Sequence, residues 1–390
     1  MRRISLTLLC LCCCLQGFAQ GAVETVLREI ELNNPDLQAA AAALDEERLA
    51  HRSEALPANP ELEFNYLWGA AGIGNRHDLR VTQALDMPTL SGLRSGQVTR
   101  LDELAALKYR AQLLDVFRQA RELCIDLVHS HLLLEELQDH QERSASLVQA
   151  YERRLEAGGA TILDLNKARL HLASVQGQIN RVENKRQSLL AALRMLNGGR
   201  DVDVALTAYD LDDTLPEDFE SWFEQASEQN PVLAYVRQEV RVGQQQLAIE
   251  RMNWMPELTV GYMSELRTEE QFRGVTVGVS IPLWSGANRV KRARAGVAAA
   301  ESRQKAAEHA FYEQLRDNYR IALAMKENAE MLRASLTDTD YRDFLLSALS
   351  RGEISMVEYL VENDLYYEAL EQTLEAERDY RHSLSALKVF

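Results

Sequence analysis

The feature that most constrains this 390-residue chain is an internal duplication. Asn34-Pro35-Asp36-Leu37 recurs as Asn230-Pro231-Val232-Leu233, and Pro60-Glu61-Leu62 as Pro256-Glu257-Leu258, both displaced by 196 residues. Pro88-Thr89-Leu90-Ser91-Gly92 is matched by Pro282-Leu283-Trp284-Ser285-Gly286 at a displacement of 194. At the same displacement, Gly158-Gly159-Ala160-Thr161-Ile162-Leu163-Asp164 is matched by Gly352-Glu353-Ile354-Ser355-Met356-Val357-Glu358. Four collinear pairs at nearly constant offset, about half the chain, mean two copies of one supersecondary unit. The expected division is residues 20–200, a linker at 201–216, and 217–390.

Residues 1–19 have the layout of a secretory signal peptide: Arg2 and Arg3, an apolar run from Ile4 to Leu15, then Gly17-Phe18-Ala19 as the cleavage site. Cys10, Cys12, Cys13 and Cys14 fall inside it, and Leu11, Cys12 and Cys13 make a poor lipidation motif in front of Cys14. Only Cys124 remains after processing, so the exported chain forms no internal disulfide. The formal net charge of −16 argues against nucleic acid as a partner, because phosphate would be repelled. After the signal no run of about 18 apolar residues is available to cross a bilayer as a helix. A membrane role would have to come from β-strands.

Within each copy the apolar period switches from helical to two. The first copy is helical from Ala22 to Leu56, interrupted at Asn33-Asn34-Pro35. From 60 to 69, Leu62, Phe64, Tyr66 and Trp68 then alternate with Glu61, Glu63 and Asn65. Leu79, Val81, Leu85 and Met87 alternate with Arg80, Thr82 and Asp86 in a second strand expected at 79–88. The second copy offers Leu258, Val260 and Tyr262 in a strand at 256–266, and Val275, Val277, Val279 and Ile281 in one at 274–283. Each run is close to the ten residues with which a tilted strand crosses a bilayer. A long helix follows each pair: about Leu93 to Glu156, on the order of 90 Å at 1.5 Å per residue, with Ser91 as its cap, and Ala287 to Ser350. Gly158-Gly159 and Arg351-Gly352-Glu353 stop these helices, and return helices run from Thr161 to Leu196 and from Ser355 to Leu387.

The order Asn-Pro-x-Leu, a strand opened by proline, a second strand closed by Pro-x-x-Ser-Gly, a long helix and a Gly-x-x-Ser/Thr turn, all duplicated, resembles the TolC family of outer-membrane efflux channels. Within that family it is similar to the CusC/CzcC-like heavy-metal branch, over essentially the whole chain from Ala22, with Ile281-Pro282-Leu283-Trp284-Ser285-Gly286 as the most specific stretch. The resemblance implies a mainly helical protein with membrane β-strands: a homotrimer sharing a twelve-stranded β-barrel, continued by a periplasmic α-helical barrel. It implies partners as well, a periplasmic adaptor docking at Gly158, Gly159, Thr161, Arg351, Gly352 and Ser355, and an inner-membrane pump of the RND type. Leu62, Phe64, Tyr66, Trp68, Leu258, Val260, Tyr262, Val275, Val277 and Val279 are expected to face outer-membrane lipid. Glu61, Glu63, Arg80, Glu257 and Glu265 are expected to face a watery lumen. The loops between strands and the linker between repeats are short, so little extracellular cap is expected.

No catalytic constellation stands out, and neither a cofactor nor a metal ligand is expected. His129 and His131 are i and i+2 on a helix, about 200° apart, and do not share one ion readily. His51, His77, His140, His171, His309 and His382 show no H-E-x-x-H spacing and no cysteine partner. Gly72-Ile73-Gly74 is too short for a phosphate loop, and Glu135-Glu136 and Asp212-Asp213 read as solvated faces. Two functional readings follow: an exit duct for an efflux pump, with metal cations as a cargo the resemblance favours, and a soluble periplasmic coiled-coil adaptor or scaffold.

Overall fold

The computed structural model describes residues 21–70, 74–85, 87–202, 205–209, 214–267, 270–281, 288–336 and 341–388. The signal segment with its four cysteines, Gly72-Ile73, Asp86, Asp212-Asp213 and the Pro282–Gly286 motif, including Trp284, lie outside these. Among the described residues the order helix, helix, strand, strand, helix, helix occurs in each half of the chain.

The first such module opens with α1 (Ala22–Asn33) and α2 (Pro35–Glu54). Asn34 stands between them with its side chain in an N-cap role: Oδ1 accepts the Leu37 N–H at 2.9 Å, and Nδ2 donates to the Leu196 carbonyl at 2.9 Å. Proline follows at the first helical position, where its missing N–H costs nothing. The second copy repeats the device between α5 (Phe219–Gln229) and α6 (Pro231–Met252), where Asn230 Oδ1 accepts from the N–H groups of Val232 and Leu233. Leu37 and Leu233, the last letters of the repeated motif, are both buried. The motif is therefore a helix cap plus a core anchor. Asn34→Ala is expected to cost about 1–2 kcal/mol, because a cap is lost and a carbonyl loses its donor. A lower denaturation midpoint checks this; an unchanged one contradicts it.

Four strands follow the period-two segments: β1 (Glu61–Leu67), β2 (Arg76–Leu85), β3 (Glu257–Arg267) and β4 (Gln271–Ser280). Their bounds fall within about three residues of those expected, β2 and β4 beginning earlier. They form one antiparallel sheet in the order β1-β2-β3-β4, so the two copies pair through β2 and β3 and leave β1 and β4 as edges.

The third helix, α3 (Pro88–Glu156), starts five residues before the expected Leu93, with Pro88 at its first position and Ser91 inside its first turn rather than capping it. It returns as α4 (Ile162–Leu196). In the second copy the expected single helix from Ala287 to Ser350 is two: α7 (Arg289–Ser335) and α8 (Tyr341–Arg351), followed by α9 (Met356–Ser385). Residues 337–340, between α7 and α8, lie outside the described residues.

The chain divides into two compact units. One contains the chain up to Gln38, Leu113–Phe223 and the segment from Glu313; the other contains Ala39–Gln112 and Glu224–Tyr312, and with them the sheet. The helical unit has two apolar clusters. Val26, Leu27 and Ile30 of α1 pack with Ala120, Cys124 and Leu127 of α3 and with Leu189 and Leu193 of α4. Leu147, Val148 and Tyr151 of α3, Leu165 and Ala168 of α4, Leu345 and Leu349 of α8, and Met356 and Tyr359 of α9 form the other. At about 1.5–3 kcal/mol per buried large aliphatic side chain, such clusters hold the hairpins together. In the sheet unit, the buried Gln238 of α6 donates to the Arg100 carbonyl and to Glu103 of α3, both at 2.8 Å.

Candidate functional site

Residues directly paired across an antiparallel sheet project to the same face, so the register sorts every strand side chain. Leu62 pairs with Val81, Val81 with Tyr262 and Tyr262 with Val275, giving one apolar row across all four strands. Phe64 with Leu79, Val260 with Val277, and Leu85 with Leu258 and Val279 extend the same face. All ten residues expected to face lipid lie on it or, for Trp68, continue its alternation beyond β1. The opposite face carries Glu61, Glu63, Arg80, Glu257 and Glu265, the five expected to face a lumen, with Asp78, Thr82, Thr259 and Thr276 among them. Leu67, Met263 and Phe272 are the large apolar members of this polar face.

Among the described residues nothing covers the apolar face: Val275 is 85% exposed, Leu62 71% and Val277 67%. Gln83, paired with Val260, is a polar member within it, and an exposed apolar surface of this kind is rare on a soluble monomer and marks an interaction with lipid or protein. Toward the β1–β2 connection its chemistry changes. His77, Ser264, Gln271 and Arg273 join it there, and Tyr66 packs edge-on against Trp68 at 5.0 Å and against His77 at 4.6 Å. Aromatic rings with polar edges are favoured where hydrocarbon meets water. On the polar face, Arg80 reaches Glu63 at 3.1 Å, Arg76 reaches Asp78 at 2.8 Å and Glu265 at 3.1 Å, and Arg267 reaches Glu265 at 3.0 Å. These carboxylates thus sit in a mixed-charge lattice, not a bare acidic ring.

The two glycine turns share one construction. Gly158 has φ +74° and Gly352 φ +76°, a region that only a residue without Cβ enters freely. At the first turn Gly159 N–H reaches back to the Arg154 carbonyl and Gly158 N–H to that of Leu155; at the second, Glu353 N–H bonds Ala348 and Gly352 N–H bonds Leu349. Both are helix stops of the Schellman type. Three residues after each glycine a capping box restarts the chain: Thr161 with Asp164 and Ser355 with Glu358. Hydrogen bonds from Thr161 hold the Asp164 carboxyl below its usual range, and those from Ser355 do the same for Glu358. Arg351 pairs with Glu353 at 2.8 Å. Ile162, Leu163 and Val357 stand exposed on the first turns of the return helices.

Between the turns and the α1 cluster, polar groups link the hairpins. Glu136, expected to be solvated, pairs with Arg342 of α8 at 3.3 Å, and Arg143 pairs with Asp343 at 2.8 Å. His129 is buried with Nε2 unpartnered, and burial lowers its pKa to about 4. The charged groups around it are Asp126 of its own helix and Arg378, Asp379 and His382 of α9. The unfolded imidazole protonates near pH 6.5, so between about 6.5 and 4 the unfolded chain binds more protons and stability falls as pH falls. The slope from this group is up to about 1.4 kcal/mol per pH unit. Denaturation midpoints at pH 7, 5.5 and 4.5 should decline less in His129→Gln than in the unaltered chain, and equal declines contradict the assignment.

Residues 222–389 match the family model described as "Outer membrane efflux protein". The chain is 27% identical over 257 residues to the cobalt-zinc-cadmium resistance protein CzcC of Cupriavidus metallidurans, a match covering 64% of this chain. The chain spans 60% of that curated relative's length. Its fold is that of solved outer-membrane channels. The CmeC outer membrane channel of Campylobacter jejuni superposes with a TM-score of 0.74 at 14% identity, over 94% of this chain and 84% of CmeC. CusC superposes with a TM-score of 0.70 at 16% identity, over 95% and 92%.

Proposed function

We infer, from the match of residues 222–389 to the outer membrane efflux protein family model, that this chain is the non-enzymatic exit duct of an efflux pump, seated in the outer membrane with its helical hairpins in the periplasm. One observation carries the reading. The four-stranded sheet is apolar on one face, charged on the other, and unpaired at both edges. Among the described residues no helix is long and apolar enough to cross a membrane, so the crossing falls to the sheet. In hydrocarbon, open edge N–H and C=O groups cost several kcal/mol each, and four strands are too few to close on themselves. Sharing among three copies closes a barrel of about twelve strands, with Leu62, Phe64, Val260 and Val277 toward lipid and Glu61, Glu63, Arg80, Glu257 and Glu265 toward water.

In this reading the turns at Gly158 and Gly352, with Thr161, Ser355 and the exposed Leu163 and Val357, dock a periplasmic adaptor, and an RND-type inner-membrane pump supplies the energy. Cargo diffuses through the lumen. The resistance named for the Cupriavidus relative makes divalent metal cations the proposed cargo, and 59 acidic against 43 basic side chains favour cations in the field of the whole chain. A soluble adaptor would have to hide the apolar sheet face, and among the described residues nothing covers it. Fractionation of cells tests the reading: it predicts the chain in the outer membrane, and recovery from the soluble periplasm would overturn it.

A further inference from the structure

Three side chains from three helices converge in the helical unit, the buried His140 of α3, the half-buried His171 of α4 and the exposed Asp364 of α9, their donor atoms all within 4.8 Å of one another. The two Nε2 atoms are 3.0 Å apart, and His171 Nδ1 stands 3.4 Å from the Asp364 carboxylate. His140 is 3% exposed and lies flat against Tyr367, with ring centroids 3.6 Å apart and planes 6° from parallel. Asn363 Nδ2 also approaches His140 Nε2, at 3.0 Å.

Protein groups alone leave the hydrogen bonding of His140 unbalanced. With Nε2 as acceptor, its one lone pair is claimed by both His171 and Asn363 while a buried Nδ1–H faces nothing; with Nε2 protonated, the buried Nδ1 lone pair faces nothing instead. The crowding at Nε2 calls for an explanation, and an ion shared by the two facing imidazoles is one of the few available; it leaves Nδ1 as it stands. Zinc-class ions bind imidazole nitrogen at about 2.0–2.1 Å, which puts two such nitrogens roughly 3.3 Å apart, a few tenths of an ångström from the separation here.

We propose that His140, His171 and Asp364 form a binding site for one divalent first-row transition-metal cation, held by one ring nitrogen of each histidine and the Asp364 carboxylate. Two imidazoles and one carboxylate suit zinc, cobalt, nickel or copper; calcium and magnesium need more oxygen ligands than this site holds. Bound there, the ion ties the α3–α4 hairpin to α9. The site is a resident one in packed helices, and it stands or falls independently of any transport through a lumen.

The test is cobalt(II) titration of the purified full-length mature chain after chelator treatment and dialysis, followed by visible absorption. The proposal predicts ligand-field bands saturating at one ion per chain, loss of those bands on adding zinc, and a melting temperature that rises with metal concentration. His171→Gln should weaken binding at least about 100-fold and Asp364→Asn about 10–100-fold, while His129→Gln leaves it unchanged. Because a variant at the buried His140 risks misfolding, the unaltered chain and His171→Gln decide. No cobalt spectrum with micromolar metal, or a spectrum that survives His171→Gln, overturns the site.

Discussion

Arginine in place of Val277 is expected to abolish stable membrane insertion, whereas arginine one residue away, at Thr276, leaves insertion intact. Val277 is 67% exposed, pairs with Val260, and lies in the middle of the apolar face. Thr276 pairs with Gly261 on the opposite face, in line with Thr82 and Glu61. If the apolar face meets hydrocarbon, a cation near the bilayer midplane costs about 2–4 kcal/mol per chain, and a shared barrel takes that cost once from every protomer. The same cation on a watery face finds carboxylates and solvent. Neighbouring positions with opposite outcomes are the signature of period two, and outer-membrane yield of the two variants measures it. Equal yields would mean that the apolar face is not a lipid face.

The second large effect is expected at the second helical turn. Gly352→Pro forces a φ near −65° where the chain has +76°, and removes the N–H that bonds the Leu349 carbonyl, a local cost of about 3 kcal/mol or more. The turn must be rebuilt, and with it the presentation of Arg351, Ser355 and Val357. The strands are untouched, so the variant should reach the outer membrane in normal amounts and fail in efflux. Gly352→Asn is the control, since asparagine tolerates a positive φ and no atom lies within 4 Å of the Cβ it would add. It should transport nearly as the unaltered chain does. Normal efflux in the proline variant contradicts docking at this turn.

These two predictions rest on features that differ in how they could be read from residues. Alternation in the strands was legible because the period is two and each face is chemically uniform over several positions, as in Leu62, Phe64 and Tyr66 against Glu61, Glu63 and Asn65. The Asn-Pro-x-Leu and Gly-x-x-Ser/Thr motifs were legible because capping is local: donor and acceptor lie within three residues. The division into α7 and α8 was not legible, because neither proline nor glycine stands between Ser335 and Tyr341 to announce it. Nor were the links that cross between helices. Arg342 meets Glu136 at a separation of 206 residues, and His140 meets His171 and Asp364 through three different helices, so no spacing within one segment announces them.

The central claim, that several copies of this chain share one barrel, is tested most directly by the mass of the mature protein extracted from outer membranes in detergent and compared unheated and heated. Open edges at β1 and β4 require partners, so the account predicts an unheated species near three chains that collapses to one chain on boiling. A membrane-extracted monomer, with mass unchanged by heating, would contradict it.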